Sequence, residues 1–380
     1  MSNTLTGLIP TLYQALDIVS REMTGFIPAV AINAKAATAA KDQTISIPVT
    51  PPATAYDITP GTTPTNNGDQ TIGHVDMTIS KSKYAPVRWD GEEQLAVGAT
   101  GTYNKILADQ FAQAMRTLVN LVEADLGALY VGASRAYGTA GTTPFASSLG
   151  DIAQLRKILV DNGAPMTDLQ LVIDSAAGAN LRGIGNLTKA NEAGTEATLR
   201  RGTLLDIYGF AVRESGQVAS HTKGTSTGTV TVNNASNYAK GATSIAWDTA
   251  TAASLKAGDV LTFGSDTTKY ILSADDTATP LVLNAPGLVA GVNDNTAVAI
   301  GNNYTANLAF DRNAIQLLAR MPAMPQGGDS ADDVMALTDP VSGISFQVAV
   351  YREYRRVRYE VGLAWGVKLI KPEHVAILLG

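Results

Sequence analysis

Apolar residues recur through residues 103–131 at steps of four, four, three, four, four and three: Leu107, Phe111, Met115, Leu118, Val122, Leu126 and Leu129. That spacing is one stripe of a 3.6-residue helix. Lys105, Asp109, Gln113, Arg116, Asn120 and Glu123 fill the other side, so one face seeks a core and the other seeks water or a partner. No proline interrupts the run, and the predicted helix is about 40 Å long at 1.5 Å per residue. A rod of that length braces something extended.

Before the rod the period changes to two. Ile45, Ile47 and Val49 alternate with polar residues, and Val75, Met77 and Ile79 alternate again, which predicts a hairpin with a long tip. The tip, TPPATAYDITPGTTPTNNGDQT, carries proline and glycine but hardly any core-forming residues. It stands away from the molecule or rests on another one, a mobile surface loop being the other reading. A long hairpin is marginal alone and needs something to pack on. Residues 1–40 read as an arm. Pro10 opens a short helix through Val19 with Leu12, Leu16 and Val19 on one side, Gly25 and Pro28 end it, and the apolar run Phe26–Ile32 follows. Such a segment must lie on its own chain or on a neighbour, and the neighbour is the preferred partner.

After the rod, 133–148 reads as a Gly/Ala/Thr/Ser loop. Ile152, Leu155, Ile158 and Leu159 fit a helix stopped by Asn162 and Gly163, and Leu169–Ile173 is a short buried strand. Residues 176–202 are glycine-rich and helical in parts, and Leu204–Arg213 reads as turn and strand with Ile207, Phe210 and Val212 in the core. A boundary follows near Gly216. No arginine occurs between Arg213 and Arg312, and short alternating strands recur at Thr229–Val232, Val260–Phe263, Tyr270–Leu272 and Leu281–Leu283. Turn signals at Lys256–Asp259 and Ala285–Gly287 separate them, as expected of a small inserted barrel or sandwich. The host resumes near Asn302. Leu308 and Phe310 begin a strand, Asn313–Ala319 is predicted as a short helix, Pro322 and Pro325 break it, and Gly327–Asp333 is a flexible acidic loop. Phe346, Val348 and Val350, then Val357, Tyr359, Val361 and Leu363, alternate as strands, and Val375–Leu379 is an apolar terminal strand that ties down the end. The fold class is α+β.

Composition narrows the function. At 380 residues the chain holds two or three domains, and 45% hydrophobic against 16% charged residues is slightly apolar for a free monomer, so buried subunit contacts are expected. A net charge of −6 argues against nucleic-acid affinity as the main task. The absence of cysteine excludes disulfides, thiolate metal sites and a cysteine nucleophile. Thr6, Pro10, Gln14 and Asp17 interrupt any leader-like run, and no stretch of about eighteen apolar residues predicts a membrane span.

Catalytic signals are sparse. His74, His221 and His374 have no paired metal spacing, Gly183-Ile184-Gly185 lacks the third glycine of a dinucleotide fingerprint, and no Walker A or GxSxG motif occurs. Asp275-Asp276 and Asp332-Asp333 read as solvated turns without calcium-loop spacing, and Asp57, Asp69 and Asp76 form no rigid acid–base pair. No enzyme, cofactor or metal is expected. Arg352, Arg355, Arg356 and Arg358, interleaved with Tyr351, Tyr354 and Tyr359, are the densest basic group. Read as alternating chain, Arg352, Tyr354, Arg356 and Arg358 share one side and Arg355 faces the other, which favours ion pairs over a DNA-facing surface.

In order, the arm, long hairpin, long helix, α/β region, inserted β-domain and terminal strands resemble the major coat protein of tailed bacteriophages of the Hong Kong 97 type, with the nearest look to podovirus-type coat proteins that carry an extra β-domain. The resemblance is carried by Met77-Thr78-Ile79-Ser80-Lys81-Ser82-Lys83-Tyr84, Asn307-Leu308-Ala309-Phe310-Asp311-Arg312-Asn313-Ala314, Trp365-Gly366-Val367-Lys368 and Ala376-Ile377-Leu378-Leu379. It implies a subunit that assembles with itself into hexamers and pentamers of an icosahedral head, in the host cytoplasm. Scaffolding and portal proteins, weakly held double-stranded DNA and a decoration protein are the implied partners, and no membrane is. It divides the chain into an arm (1–44), an extended hairpin loop (45–89), a peripheral domain (90–150 with 341–380) built on the spine helix 103–131, an axial domain (151–215 with 301–340) and an inserted β-domain (216–300). The subunit-contact candidates are Leu12 and Leu16 in the arm, Tyr56 and Ile58 in the tip, and Lys81 and Lys83 in the return strand, where the covalent crosslinking of part of that family has no identified partner. The alternative is a cell-surface or tail adhesin whose Thr/Gly-rich β-domain binds a glycan or receptor.

Overall fold

The computed structural model describes Leu12, Ala15 and Leu16 together with residues 24–50, 53–63, 68–98, 103–188, 206–226, 230–249, 253–275, 280–325, 327–340 and 342–380. The expectations for Val19, for 189–205, for Thr229 and Asp276, and for 51–52 and 64–67 of the tip lie outside the described residues.

A 3-10 turn, Ile27–Ala29, leads into β1 (Ala31–Ala39). β2 (Thr44–Val49) and β3 (Gly73–Thr78) form the hairpin, and β4 (Lys81–Asp90) continues from it. Helices α1 (Gly91–Gly98) and α2 (Tyr103–Gly127) come next. Then follow β5 (Arg135–Gly138), α3 (Gly150–Asp161), β6 (Leu169–Ile173), α4 (Ser175–Gly183) and β7 (Phe210–Glu214). Short strands occupy much of 220–300, and the chain closes with β8 (Tyr304–Asp311), β9 (Ile315–Pro322), β10 (Asp333–Thr338), β11 (Ser345–Glu353), β12 (Arg356–Leu369) and β13 (Val375–Leu379).

One sheet has the order β1-β9-β12-β11-β10, with β4 also paired to β12. Helix α2 lies on it. The apolar stripe from Leu107 to Leu126 is buried there with Trp365, Val361 and Leu363 of β12. Phe111 meets Tyr359 edge-on at 5.4 Å, and Trp89 meets Tyr103 at 5.2 Å while donating its indole N–H to Gln110 Oε1 at 2.7 Å. Offset aromatic pairs of this kind add roughly 0.5–1.5 kcal/mol each to area burial. The tyrosine hydroxyl of Tyr103, desolvated beside Tyr359, is pushed up to about 12.

The second sheet has the order β5-β13-β8-β6-β7 and carries α3 on its own core of Ile152, Leu155, Leu171 and Phe210. From β5 it continues through Lys269–Ile271, Val260–Phe263, Ala297–Ile300, Val230–Val232 and Trp247–Thr249. These strands have a separate core around Trp247, Phe263 and Tyr270. Among the described residues the strands of the 216–300 segment are therefore not free-standing. Its sheet is hydrogen-bonded to the host through Tyr270↔Arg135 and Lys269↔Ala136.

Five expectations need correction. Residues 133–148 are not all loop, because β5 lies between parallel β13 and antiparallel Lys269–Ile271. Asn313–Ala319 is not a helix: after one 3-10 turn, β9 runs antiparallel to β12 with both faces covered. The hairpin proper ends at Thr78, since β4 pairs along β12 from Lys81↔Trp365 to Asp90↔Arg356. Arg352–Arg358 is not continuous strand but turns at Tyr354-Arg355, so Glu353 faces Arg356 across the ladder. Leu12 and Leu16, expected against a neighbour, are 0% and 2% exposed within the chain's own core, which consumes their apolar side in cis.

The hairpin is seated by a close approach. A Cβ on Gly366 of β12 would lie 2.1 Å from the Thr78 carbonyl oxygen and 3.2 Å from Ile79 Cα. Gly366→Ala is therefore expected to push the hairpin base off the sheet and to cost about 1–3 kcal/mol, read as a shift of the urea midpoint with an unchanged m-value.

Candidate subunit-contact surfaces

The hairpin begins from its ladder. Ile45 pairs with Met77 and Ile47 with Val75, so the period of two puts apolar side chains on one face. Met77 and Ile79 are buried against Ala39, Leu318 and Ala364, with Ile45, Ile47 and Ile370 packed at the edge. Asp42 donates to Ile79 and Ile79 to Gln43 through their backbones, and the Ser46 hydroxyl donates to Asp76 at 2.5 Å. The base is thus anchored. Beyond Val49 nothing comparable holds the chain: the described residues of 53–74 are all exposed, Ile58 to 90%, Tyr56 and Ile72 to 63% each. Proline and glycine leave this segment no apolar side to fold back on its own body, so three large apolar side chains face water. The sequence candidates Tyr56 and Ile58 lie here, and Ile72 joins them.

Lys81 is used within the chain. Its ammonium is 2.6 Å from Asp125 Oδ1, and Trp365 donates its indole N–H to Oδ2 of the same carboxylate at 2.8 Å, so β4, α2 and β12 meet at one acid. Lys83, two residues on, is exposed.

Glu123, read as part of the solvated face of the helix, is 1% exposed. One carboxylate oxygen accepts the Ile27 N–H at 2.7 Å, and the other accepts Phe26 N–H at 3.0 Å, Gly25 N–H at 3.2 Å and the Ser215 hydroxyl at 2.8 Å. Desolvation raises the pKa of this group above the ordinary glutamate value, against the lowering effect of those donors. The segment Gly25–Ile27 ahead of β1, the long helix and the entry to 216–300 are joined here. No sequence spacing signals it, although Gly25 is informative afterwards, since a Cβ there would lie 2.6 Å from the Glu214 carbonyl oxygen.

A second buried polar group joins the host to the 216–300 segment. His221 bonds Asp259 at 2.8 Å through Nε2 and the Tyr130 hydroxyl at 2.9 Å through Nδ1, while Tyr304 donates to the Gly258 carbonyl at 2.6 Å. His221 and Asp259 are 4% and 1% exposed, too enclosed to meet a substrate. Burial raises the Tyr130 and Tyr304 hydroxyls above their ordinary value, with Asp259 adding to both. His74 is exposed near Asp76 on the hairpin, and burial lowers His374. Among the described residues no metal-ligating cluster forms, and no helix is long and apolar enough to cross a membrane.

The arginine group splits by pairing. Arg352 contacts Asp332 at 2.7 Å, Arg356 contacts Asp90 at 2.8 Å, and Arg358 contacts Glu360 at 3.0 Å and Glu353 at 3.4 Å while lying 5.1 Å over the Tyr351 ring. Arg355 alone projects from the turn, its carbonyl accepting the Gly91 N–H. These pairs are about two-fifths exposed, so Arg356→Ala is expected to change unfolding free energy by less than about 1 kcal/mol, falling further in salt.

No family model matches the sequence, and no curated protein matches it. Among solved structures, a chain of Mycobacterium phage Che8 is similar at 15% identity and a TM-score of 0.45, covering 89% of this chain and 85% of that one. The capsid of the cyanophage P-SCSP1u is similar at 11% identity and a TM-score of 0.48, covering 92% and 86%. A virus-like particle from Pyrococcus furiosus is similar at 9% identity and a TM-score of 0.41, covering 97% of each chain.

Proposed function

We propose that this chain is the shell-forming subunit of a tailed-bacteriophage head, of the Hong Kong 97 type, assembling with itself into hexamers and pentamers around double-stranded DNA. One observation carries the reading. A hairpin anchored by buried Met77 and Ile79 holds out a tip on which Tyr56, Ile58 and Ile72 have no partner surface of their own. A chain that exposes apolar residues on a firmly based arm is organised to complete its packing on another molecule. The long helix supports the reading by stiffening the sheet from which the hairpin leaves. The carboxylate-paired arginines and the net charge of −6 suit a shell that holds its genome weakly enough to release it.

In this proposal the extended loop is 45–78, with β4 given to the sheet of the peripheral domain, 90–150 with 341–380 is the rest of the peripheral domain, 151–215 with 301–340 the axial domain and 216–300 the inserted one. Scaffolding, portal and decoration proteins are the proposed partners, and assembly takes place in the host cytoplasm. Negative-stain electron microscopy of the purified chain, with and without the scaffold candidate, tests it. Uniform closed particles are the expected result. A persistent monomer in both conditions overturns it and moves the question to glycan binding by the full chain.

A further inference from the structure

We propose that the cleft at the seam between the host sheet and the 216–300 segment binds a phosphate group, free in solution or carried by a small molecule. The proposal goes beyond the shell-forming reading and does not depend on it. The cleft holds about 610 Å³ and is lined by Arg135 of β5, by Lys157 and Asp161 of α3, and by the connection from Gly264 to Lys269. That volume falls within the range of small-ligand sites. Its walls meet where Tyr270 pairs with Arg135 and Lys269 with Ala136, so a ligand held here touches both host and inserted strands.

Arg135 carries the inference. It is 6% exposed, yet among the described residues its guanidinium has no carboxylate at ion-pair distance: it donates to Asn162 Oδ1, and its Nε–H is buried without a partner. Enclosed charges are ordinarily paired, so this one lacks an anion. Lys157, exposed on the facing side of α3, has no ion pair among the described residues, and Lys269 lines the inserted side with its ammonium on the Gly138 carbonyl. Burial lowers the pKa of Arg135 and of Lys269, and a bound anion offsets that desolvation. The acids of the cleft leave the place open. Asp266 is taken by its own turn, accepting the Thr268 N–H at 2.9 Å and the Tyr270 hydroxyl at 3.0 Å. Asp161 is near enough to counter part of the burial of Arg135 but makes no ion pair among the described residues. A guanidinium fork, an ammonium point charge and the hydroxyls of Thr139, Thr262, Ser265 and Thr267 approach from several sides. That donor set suits the three acceptor oxygens of a phosphate better than the two of a carboxylate.

The test is titration calorimetry of the full-length chain with inorganic phosphate and then with ATP without magnesium, at ionic strength matched by sodium chloride, the urea midpoint controlling for folding. The wild type is expected to bind phosphate saturably. Lys157→Gln is expected to weaken binding about tenfold, and Asp161→Asn, which removes a like charge, to tighten it about threefold. Both positions are exposed, so both variants keep the wild-type midpoint. Lys240→Gln, the same charge change elsewhere on the inserted segment, is expected to bind as the wild type does. Arg135→Gln is expected to lose binding together with some stability, and the two exposed variants therefore decide the matter. Binding of phosphate alone assigns the free ion, and binding of ATP, with or without phosphate, assigns a phosphate-bearing small molecule. No saturable binding of either probe, or wild-type affinity in Lys157→Gln or Asp161→Asn, overturns the proposal and leaves Arg135 a structural partner of Asn162. Shell formation is scored separately, so the shell-forming reading stands or falls on its own result.

Discussion

Glu123→Ala is expected to lower the unfolding free energy by about 3–5 kcal/mol, the largest stability loss of any single substitution considered for this chain. The carboxylate is the shared acceptor for three consecutive backbone N–H groups, Gly25 to Ile27, and for the Ser215 hydroxyl. Alanine leaves those donors buried without an acceptor, and each such group costs about 1–3 kcal/mol, less than additively. Glu123→Gln separates charge from shape. Burial raises the folded-state pKa above the ordinary glutamate value, so the folded chain holds the proton to higher pH than the unfolded chain does. Stability from this group is then fully present below the ordinary value and falls as pH rises through the window up to the raised one. Urea midpoints of wild type and Glu123→Gln across that window are expected to differ by an amount that grows in the wild type's favour on acidification. A difference that is flat with pH contradicts the assignment.

The strands and helix with strict periods were legible because each buries one face. The stripe from Leu107 to Leu126 and the alternation of Phe346, Val348 and Val350 needed no knowledge of distant residues. Where both faces are covered, periodicity loses its meaning. Leu317 packs in the main core while its neighbour Leu318 packs under the hairpin, and a run buried on both sides imitates a helix. β5 was invisible for another reason. Four residues beginning with arginine carry almost no strand signal, and their partners, Ala376–Leu379 and Lys269–Tyr270, lie more than a hundred residues away. The two-residue turn at Tyr354-Arg355 has neither Gly nor Asn to announce it, although Arg355 takes a φ of 58°. Of the candidate contacts, tip exposure followed from its composition, whereas the internal use of Leu16 and Lys81 depended on a core and an acid, Asp125, that only the fold brings near.

Replacing residues 51–71 by Asn-Gly is expected to abolish shells while leaving a folded monomer. Val49 pairs with Gly73 at the last ladder position, so Thr50 and Ile72 oppose one another and a two-residue turn closes the hairpin in register. The anchoring residues Met77 and Ile79 are untouched, and the deleted tip makes no core contact among its described residues, so the urea midpoint is expected to move by less than the equivalent of about 1 kcal/mol. Assembly is different. Covering Ile58, 90% exposed in the single chain, on a neighbour contributes about 1.5–3 kcal/mol from apolar area. A loss of about 2 kcal/mol per contact raises the concentration needed for that contact roughly thirtyfold. In a closed shell every subunit loses the same contact, so the effect compounds rather than dilutes. Ile58→Asp, which keeps the tip, is expected to give the same defect in milder form. Normal shells from both variants, by sedimentation and negative stain, would contradict the view that this hairpin completes its packing on a neighbour.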